Sequence, residues 1–190
     1  MNQMTLLHPH SELSGTEVMV DYLDDNLRRL QRLVSDLSDT ALHWQTDAEA
    51  NSIATNLWHI GRLLDVFFTQ LALGLPSDSE RWIAGGWAER TGYDPRGLGR
   101  NGWGSVNDYT PAEVAAMPKF SLELLLNFLA EVYGTVRAYL LATPMLDLAN
   151  PAAGFKGQFT RYQVISMALM DNVRHVGEIR LIKSLWERAK

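Results

Sequence analysis

The sequence predicts an all-α protein, a bundle of four long helices. Four stretches of the chain repeat apolar residues every three or four positions, which is the spacing of one face of a helix. No stretch alternates apolar and polar residues over a useful length, so we expect no sheet. The length of 190 residues suits one domain with a sizeable core. Residues 1–190 are therefore predicted to form a single domain, with residues 1–14 as a flexible N-terminal tail.

The first two helices are predicted from apolar stripes and from polar caps. The first covers residues 15–38, and its stripe consists of Val20, Leu23, Leu27, Leu30, Val34 and Leu37. The second begins at Asn51 or Ser52, both favourable N-caps, and ends near Gly74 and Pro76. Its stripe consists of Ile53, Leu57, Ile60, Leu64, Phe67 and Leu71.

The last two helices follow the same spacing. The third begins after Pro118 and ends before Pro144, with a stripe of Leu122, Leu125, Leu129, Val132, Val136 and Tyr139. The fourth covers about residues 160–188, with a stripe of Val164, Ala168, Asp171, His175, Glu178, Ile182 and Leu185. Three ionisable residues therefore interrupt an otherwise apolar face of the fourth helix.

The link between the second and third helices, residues 75–117, is rich in glycine and aromatic residues. Links of this length without structure of their own are unusual and tend to be functional. It is long enough to run the length of the bundle, so we expect these two helices to be parallel and the order to be up-down-down-up. Trp87 and Trp103 either wall a substrate pocket or pin the link to the bundle. Arg90, Arg96 and Arg100 are candidates for binding an anionic group.

Composition excludes several classes of function. The net charge of −5 argues against a broad nucleic-acid interface, which needs a basic face, and against binding to an anionic membrane. No apolar run is expected to reach the ~18 residues of a membrane span. The absence of cysteine excludes disulfides, thiolate ligands and a cysteine nucleophile, and it fits a cytoplasmic location. Any metal must therefore be bound by His, Asp or Glu.

The fourth helix carries the first part of a candidate site. Asp171 and His175 are four residues apart and Glu178 is three further on, so all three project from one side of the helix. Burying unpaired charge costs roughly several kcal/mol, so these groups need a partner. A bound metal ion meets that need. A satisfied polar network, in which His175 pairs with Asp171 or Glu178, meets it as well.

His59 of the second helix is the second part. It lies at the edge of the apolar stripe, on a mixed face, so we expect it to be at most half-buried. It is either a ligand at a cavity between helices or an ordinary surface histidine. Two imidazoles and one carboxylate, from His59, Asp171 and His175, would be a sufficient first shell for a divalent metal with open positions.

Two motifs resemble the DinB-like superfamily, also called DinB/YfiT-like metalloenzymes. The first is ALHWQTDAEANSIATNLWHIGRLLDVFF, in which a Leu-x-Trp loop leads into an Asn-Ser-Ile cap and a helix bearing His-Ile. The matching residues are Leu42, Trp44, Asn51, Ser52, Ile53, His59 and Ile60. The second is TRYQVISMALMDNVRHVGEIRLIKSLW, which matches at His175, Gly177, Glu178 and Ile179. Together the resemblance covers residues 21–186.

The resemblance implies an up-down-down-up bundle with a divalent metal bound by one histidine of the second helix and two ligands of the fourth. His59 and His175 match the family ligands directly. The family commonly has histidine where this chain has Asp171, which lowers the charge of the site by one. Zinc or nickel is the expected metal, with manganese or iron as alternatives. Family members include thiol-dependent transferases and metal-dependent hydrolases, and many are dimers.

The first hypothesis is therefore a cytoplasmic metalloenzyme that activates a water or a cofactor thiol toward a small-molecule substrate. Glu178 would orient a ligand or act as general base. The alternative is a metal-free module that binds a small ligand or supports a dimer; a metal-dependent stress regulator is a third hypothesis. Met170, Val173 and Leu181 lie opposite His175 and would suit a homodimer interface, although a further buried face would explain them equally well.

Overall fold

The structure is a computed structural model that describes residues 14–47, 50–107 and 109–189. The regular secondary structure of these residues is helical, as predicted, and the β structure among them is limited to an isolated bridge between Pro151 and Thr160. Apart from Ser14, the predicted N-terminal tail lies outside the described residues.

The described residues form a succession of long and short helices. The α-helices are α1 (Gly15–Val34), α2 (Asp39–His43), α3 (Ile53–Val66), α4 (Arg81–Ala84), α5 (Trp87–Thr91), α6 (Pro111–Ala116), α7 (Leu122–Ala142), α8 (Met145–Leu148) and α9 (Arg161–Arg188). A π-helical segment, Phe67–Ala72, continues α3, and 3-10 turns lie at Ser77–Ser79 and Phe155–Gly157.

Hydroxyl side chains cap the four long helices. Ser14, Ser52, Ser121 and Thr160 each accept a hydrogen bond from the backbone N–H three residues ahead, which satisfies a donor at the helix start. The first helix was predicted to extend to Ser38 but ends at Val34. Ser38 instead caps α2 by accepting from the N–H of Ala41, and this local bond competes with continuation of α1.

The long helices share one hydrophobic core. α7 and α9 each contact both α1 and α3. Leu23 and Leu30 of α1, Leu57 of α3 and Leu129 of α7 are fully buried in this core. Burial of such stripes stabilises a helix far more than intrinsic propensity does.

The long link is not the structureless segment that its composition suggested. It contains α4, α5 and α6, and the first of these is held by α3. Both carboxylate oxygens of Asp65 accept from backbone N–H groups, those of Arg81 at 2.8 Å and Trp82 at 3.0 Å. Arg62 donates to Glu80 at 2.7 Å, and both side chains are fully buried.

The aromatic residues of the link pack against the long helices. Trp82 lies 4.5 Å from Trp58 and 4.9 Å from Phe128 between ring centroids. Trp87 stacks on Trp82, and its Nε1 donates to Glu131 at 2.8 Å. Trp103 packs against Phe67 with a centroid distance of 5.3 Å. Trp87 and Trp103 thus attach the link to α7 and to the π-helical extension of α3.

α7 is the one helix among the described residues that is long and apolar enough to cross a membrane, with a mean hydropathy of 1.2 over its best window. No such run was expected from the sequence. Length and composition alone are weak evidence, because the core helix of a soluble protein passes the same test. α7 packs against α1 and α3.

Candidate metal centre

The three predicted ligands lie together between α3 and α9. One ligand atom from each of His59, Asp171 and His175 lies within 4.8 Å of the others. The Nε2 atoms of His59 and His175 lie 3.0 Å and 3.3 Å from the same atom, Oδ2 of Asp171. Residues from distant parts of the chain therefore converge on one carboxylate oxygen.

His59 is more buried than the sequence indicated. The mixed helix face predicted a side chain at most half-buried, but His59 is only 5% exposed. The reason is the long link, because the carbonyl oxygen of Ser105 lies 2.5 Å from Nδ1 of His59. His175 is 7% exposed and Asp171 is partly buried, so α9 forms the more open side of the site.

Oxygen acceptors orient both imidazoles. Nδ1 of His59 donates to the carbonyl of Ser105. Nδ1 of His175 donates to Oδ1 of Asn56 at 2.9 Å and to Oε2 of Glu178 at 2.6 Å. Because both Nδ1 atoms are engaged in these bonds, each Nε2 is left facing Oδ2 of Asp171, where a proton or a metal ion can lie between the two atoms. Metal-bound histidines are commonly oriented by acceptors in this way.

Two of the three distances between the candidate ligand atoms fit a first-row divalent ion. Ligand atoms bound at about 2.1 Å with angles of 90–110° are roughly 3.0–3.4 Å apart. The two Nε2 to Oδ2 separations, 3.0 Å and 3.3 Å, lie within this range. The donor set of two imidazoles and one carboxylate leaves positions for other ligands.

The electrostatics favour a positive charge at the centre of the site. Burial acts to raise the pKa of Asp171, but hydrogen bonds from His175 and His59 outweigh it and hold the pKa well below its usual value. Burial acts to lower the pKa of His175, but Asp171 and Glu178 outweigh it and raise the pKa above its usual value. The carboxylate of Asp171 thus stays ionised and attracts a proton or a cation.

Arg174 is a further charged group at the site, and it was not predicted from the sequence. Its Nη2 lies 2.7 Å from Oδ1 of Asp171 and 3.2 Å from Nε2 of His175. The side chain is 64% exposed, so it covers the site from the solvent side. The i,i+3 spacing of Asp171 and Arg174 was a usable signal for this ion pair.

Asn56 and Ser105 were also missed. Asn56 lies one turn before His59, and its Nδ2 donates to the carbonyl of Ser52, which turns Oδ1 toward His175. Its spacing from His59 carried a weak signal. Ser105 contributes only its backbone carbonyl, which any residue type provides, so no sequence signal existed for it.

The arginines of the link that were candidates for anion binding mostly have partners within the link. Arg96 forms ion pairs with Asp94 and Asp78. The guanidinium of Arg90 lies 3.8 Å from the ring centroid of Trp87 and donates to the carbonyls of Gly85 and Gly86. These two residues therefore stabilise the link rather than present a free cationic site.

Comparisons with known proteins agree with this architecture. The family model described as the DinB superfamily matches residues 22–179. A solved structure, described as "the conserved protein of locus from Enterococcus faecalis", superimposes on this chain with a TM-score of 0.70. That superposition covers 91% of this chain and 97% of the other at 19% sequence identity, so it shows a common fold. No curated protein matches the chain.

Proposed function

The chain belongs to the DinB superfamily, and we propose that it is a divalent-metal-dependent enzyme in which His59, Asp171 and His175 bind the ion. One observation supports this proposal above the others. Both imidazoles commit Nδ1 to oxygen acceptors while both Nε2 atoms face Oδ2 of Asp171. Lone pairs that face one another at 3.0–3.3 Å repel unless a proton or a metal ion lies between them.

A bound divalent ion would lower the pKa of a water or a thiol and so supply the nucleophile for hydrolysis or for thiol transfer. A thiol must come from a cofactor, because the chain has no cysteine. Zinc or nickel suits the two imidazoles, whereas the carboxylate also admits manganese or iron. Glu178 holds the ring of His175 in place, which supports an orienting role. Its exposure of 43% leaves it accessible as a proton acceptor as well.

A nearby cavity supports a small-molecule substrate. It has a volume of about 360 Å³ and includes Thr55, one turn before His59, and Val106, which follows Ser105. The size lies within the range of small-ligand sites. Tyr109 and Met117 also line this cavity. We propose that the substrate occupies this cavity and that the enzyme acts in the cytoplasm.

The pattern of helix contacts supports the up-down-down-up order that we propose for the bundle. Two contacts for each pair of helices give their relative direction. α1 and α7 are joined by Asn26–Tyr133 and Asp24–Arg137, and α3 and α9 are joined by His59–Asp171 and Asn56–His175. α3 and its π-helical extension contact α7 through Trp58–Phe128 and Phe68–Tyr139. Among these three pairs of helices, residue numbers rise together only in the α3–α7 pair. α3 and α7 would therefore run parallel, with α1 and α9 opposite to them.

A second candidate function is a metal-free module that keeps the family fold. The observation in its favour is the ion pair of Arg174 with Asp171, which brings positive charge to the site without a metal. In that case the two histidines and Asp171 would form a protonated polar network, and the bundle would bind a small ligand or a partner.

Metal content separates the two candidates. The protein should be purified without a histidine tag, dialysed and measured by plasma mass spectrometry, together with His59→Ala and His43→Ala. We expect near-stoichiometric metal in the native chain and in His43→Ala, whose ring contacts the Phe120 carbonyl outside the site. His59→Ala should lose the metal. Absence of metal from all three proteins, with no change in melting temperature on adding zinc, nickel or manganese, would favour the module.

A further inference from the structure

We propose that a groove between α1 and α9 binds a small organic phosphate. This basic groove has a volume of about 370 Å³ and is lined by Arg29, Arg32, Leu33, Val176, Arg180 and Lys183. Four of its six lining residues are cationic, whereas the whole chain carries a net charge of −5. The positive charge is therefore a local feature of this groove.

Two of the four cations have no ion-pair partner of their own among the described residues, although Arg32 shares in lowering the pKa of Asp25, the partner of Arg29. Arg29 forms an ion pair with Asp25 at 2.5 Å. Lys183 is paired with Asp36 at 2.5 Å and also donates to the carbonyl of Leu33 at 3.0 Å. Arg32 and Arg180 have neither a hydrogen bond nor an ion pair from their side chains within the part of the chain that the structure describes. The groove thus presents a net charge of about +2 to a ligand.

The geometry fits a phosphate group attached to a short carbon body. Two guanidinium groups, one from each helix, can each donate two parallel hydrogen bonds to phosphate oxygens. Leu33 and Val176 are partly buried and supply apolar surface between the charges. Lys183 is held by its contacts with α1, with a side chain only 17% exposed, so one wall of the groove is fixed before a ligand arrives.

The size and the surrounding charge favour a small ligand over a macromolecule. A volume of about 370 Å³ is near the lower end for small-molecule sites. A nucleic acid or an anionic membrane would extend beyond the groove onto a surface whose overall charge is negative, and it would be repelled there. A compact dianion gains the local attraction without that repulsion.

The basic groove is separate from the candidate metal centre. Val176 follows His175 directly, but successive residues of a helix point about 100° apart. His175 contacts Asn56 of α3, whereas Val176 lines the groove with residues of α1. Ligand binding here therefore does not depend on the metal proposal, and it needs no residue of that site.

Calorimetric titration with pyrophosphate at constant ionic strength tests the proposal. We expect saturable binding of one pyrophosphate per chain in the native protein. The double variant Arg32→Gln, Arg180→Gln should bind at least about tenfold more weakly, because it loses charged hydrogen bonds to the ligand. The matched control Arg28→Gln, Arg188→Gln removes the same charge from the same two helices outside the groove and should bind as the native protein does.

Two further measurements make the result decisive. Binding should persist in His59→Ala, because the groove shares no residue with the metal centre; loss of binding in that variant would instead place pyrophosphate at the metal. All four substituted arginines are exposed, so circular dichroism should show unchanged folding. The proposal is overturned if the native protein shows no saturable binding, or if the groove variant and its control weaken binding equally.

Discussion

The two oxygens of the Asp171 carboxylate contact different partners. Oδ2 faces the two imidazole Nε2 atoms, and Oδ1 faces the guanidinium of Arg174. A histidine at this position could not do both, because its ring would present one nitrogen to the site. The substitution of aspartate for the family histidine is therefore matched by a cation three residues later on the same helix. This pairing gives Arg174 a direct influence on any metal that binds.

We expect Arg174→Gln to tighten metal binding. In the native chain the guanidinium neutralises Asp171 and lies 3.2 Å from a nitrogen that would bind the metal, so it competes with the incoming ion. Because the side chain is 64% exposed, the gain should be modest, roughly two- to fivefold in the dissociation constant. Competition against a fluorescent zinc chelator would measure it.

The control for this prediction is Arg188→Gln, which removes a positive charge from the last turn of α9. Its affinity should match that of the native protein. Weaker zinc binding by Arg174→Gln would show that the guanidinium supports the metal centre instead of competing with it.

The long helices could be predicted from the sequence, whereas the short helices of the link could not. The stripes and the caps Ser52 and Thr160 are local signals, because the residues involved are three or four positions apart. The short helices of the link depend on contacts between distant residues. Asp65 caps α4 from α3, sixteen residues earlier in the chain than Arg81. No local spacing predicts such a pair.

The contrast between local signals and distant contacts also explains how much of the candidate site could be predicted from the sequence. His59 and His175 were recognised by family motifs, and Asp171 by its spacing from His175. Burial of His59 was underestimated, because it is produced by a backbone carbonyl of the link, 46 residues away. A helical wheel describes one helix, and it does not include a loop that covers its polar edge.

The buried charges between α3 and the link should make a large contribution to the free energy of unfolding of the protein. Arg62, Asp65 and Glu80 are fully buried, and burial raises the pKa of Asp65 to about 6. Arg62→Met would leave two carboxyl groups without their cation in the protein interior. We expect a loss of about 3–5 kcal/mol in the free energy of unfolding, measured by urea denaturation.

Arg96→Met provides the comparison, because its ion pairs with Asp78 and Asp94 lie near the surface of the link. Its cost should be about 0–1 kcal/mol. Equal losses in the two variants would mean that the buried network contributes no more than a surface pair.

In the whole molecule, different sides of α9 contribute to different surfaces. His175 faces α3 at the candidate metal centre, and Val176 and Arg180 face the basic groove beside α1. Met170 and Leu181, which are 69% and 57% exposed, lie on the remaining side. Val173, which is 41% exposed, lies between that side and the basic groove, where it lines a cavity with Arg29 and Val176. These three residues are therefore not part of a further buried face, which was one of the two explanations for them. Their exposure supports the other explanation, a partner of the same kind.

We expect the protein to be a homodimer that associates through this side of α9. Met170 and Leu181 are eleven positions apart, so they point in nearly the same direction and are roughly 16 Å apart along the helix. Val18 and Tyr22 of α1, also exposed, extend the apolar surface beside Met170 across a shared cavity. A stable dimer needs about 800 Å² from each partner, and contiguous exposed apolar residues are the usual source of it.

Sedimentation velocity should give the mass of a dimer for the native protein. The double variant Met170→Glu, Leu181→Glu should be a folded monomer, because two carboxylates per chain would be buried without partners at the interface. The matched control is Leu141→Glu, Leu146→Glu, which adds the same charge at residues that are 52% and 85% exposed on α7 and α8. That control should remain dimeric. A monomeric native protein, or a dimer that survives both substitutions on α9, would show that this surface has another role.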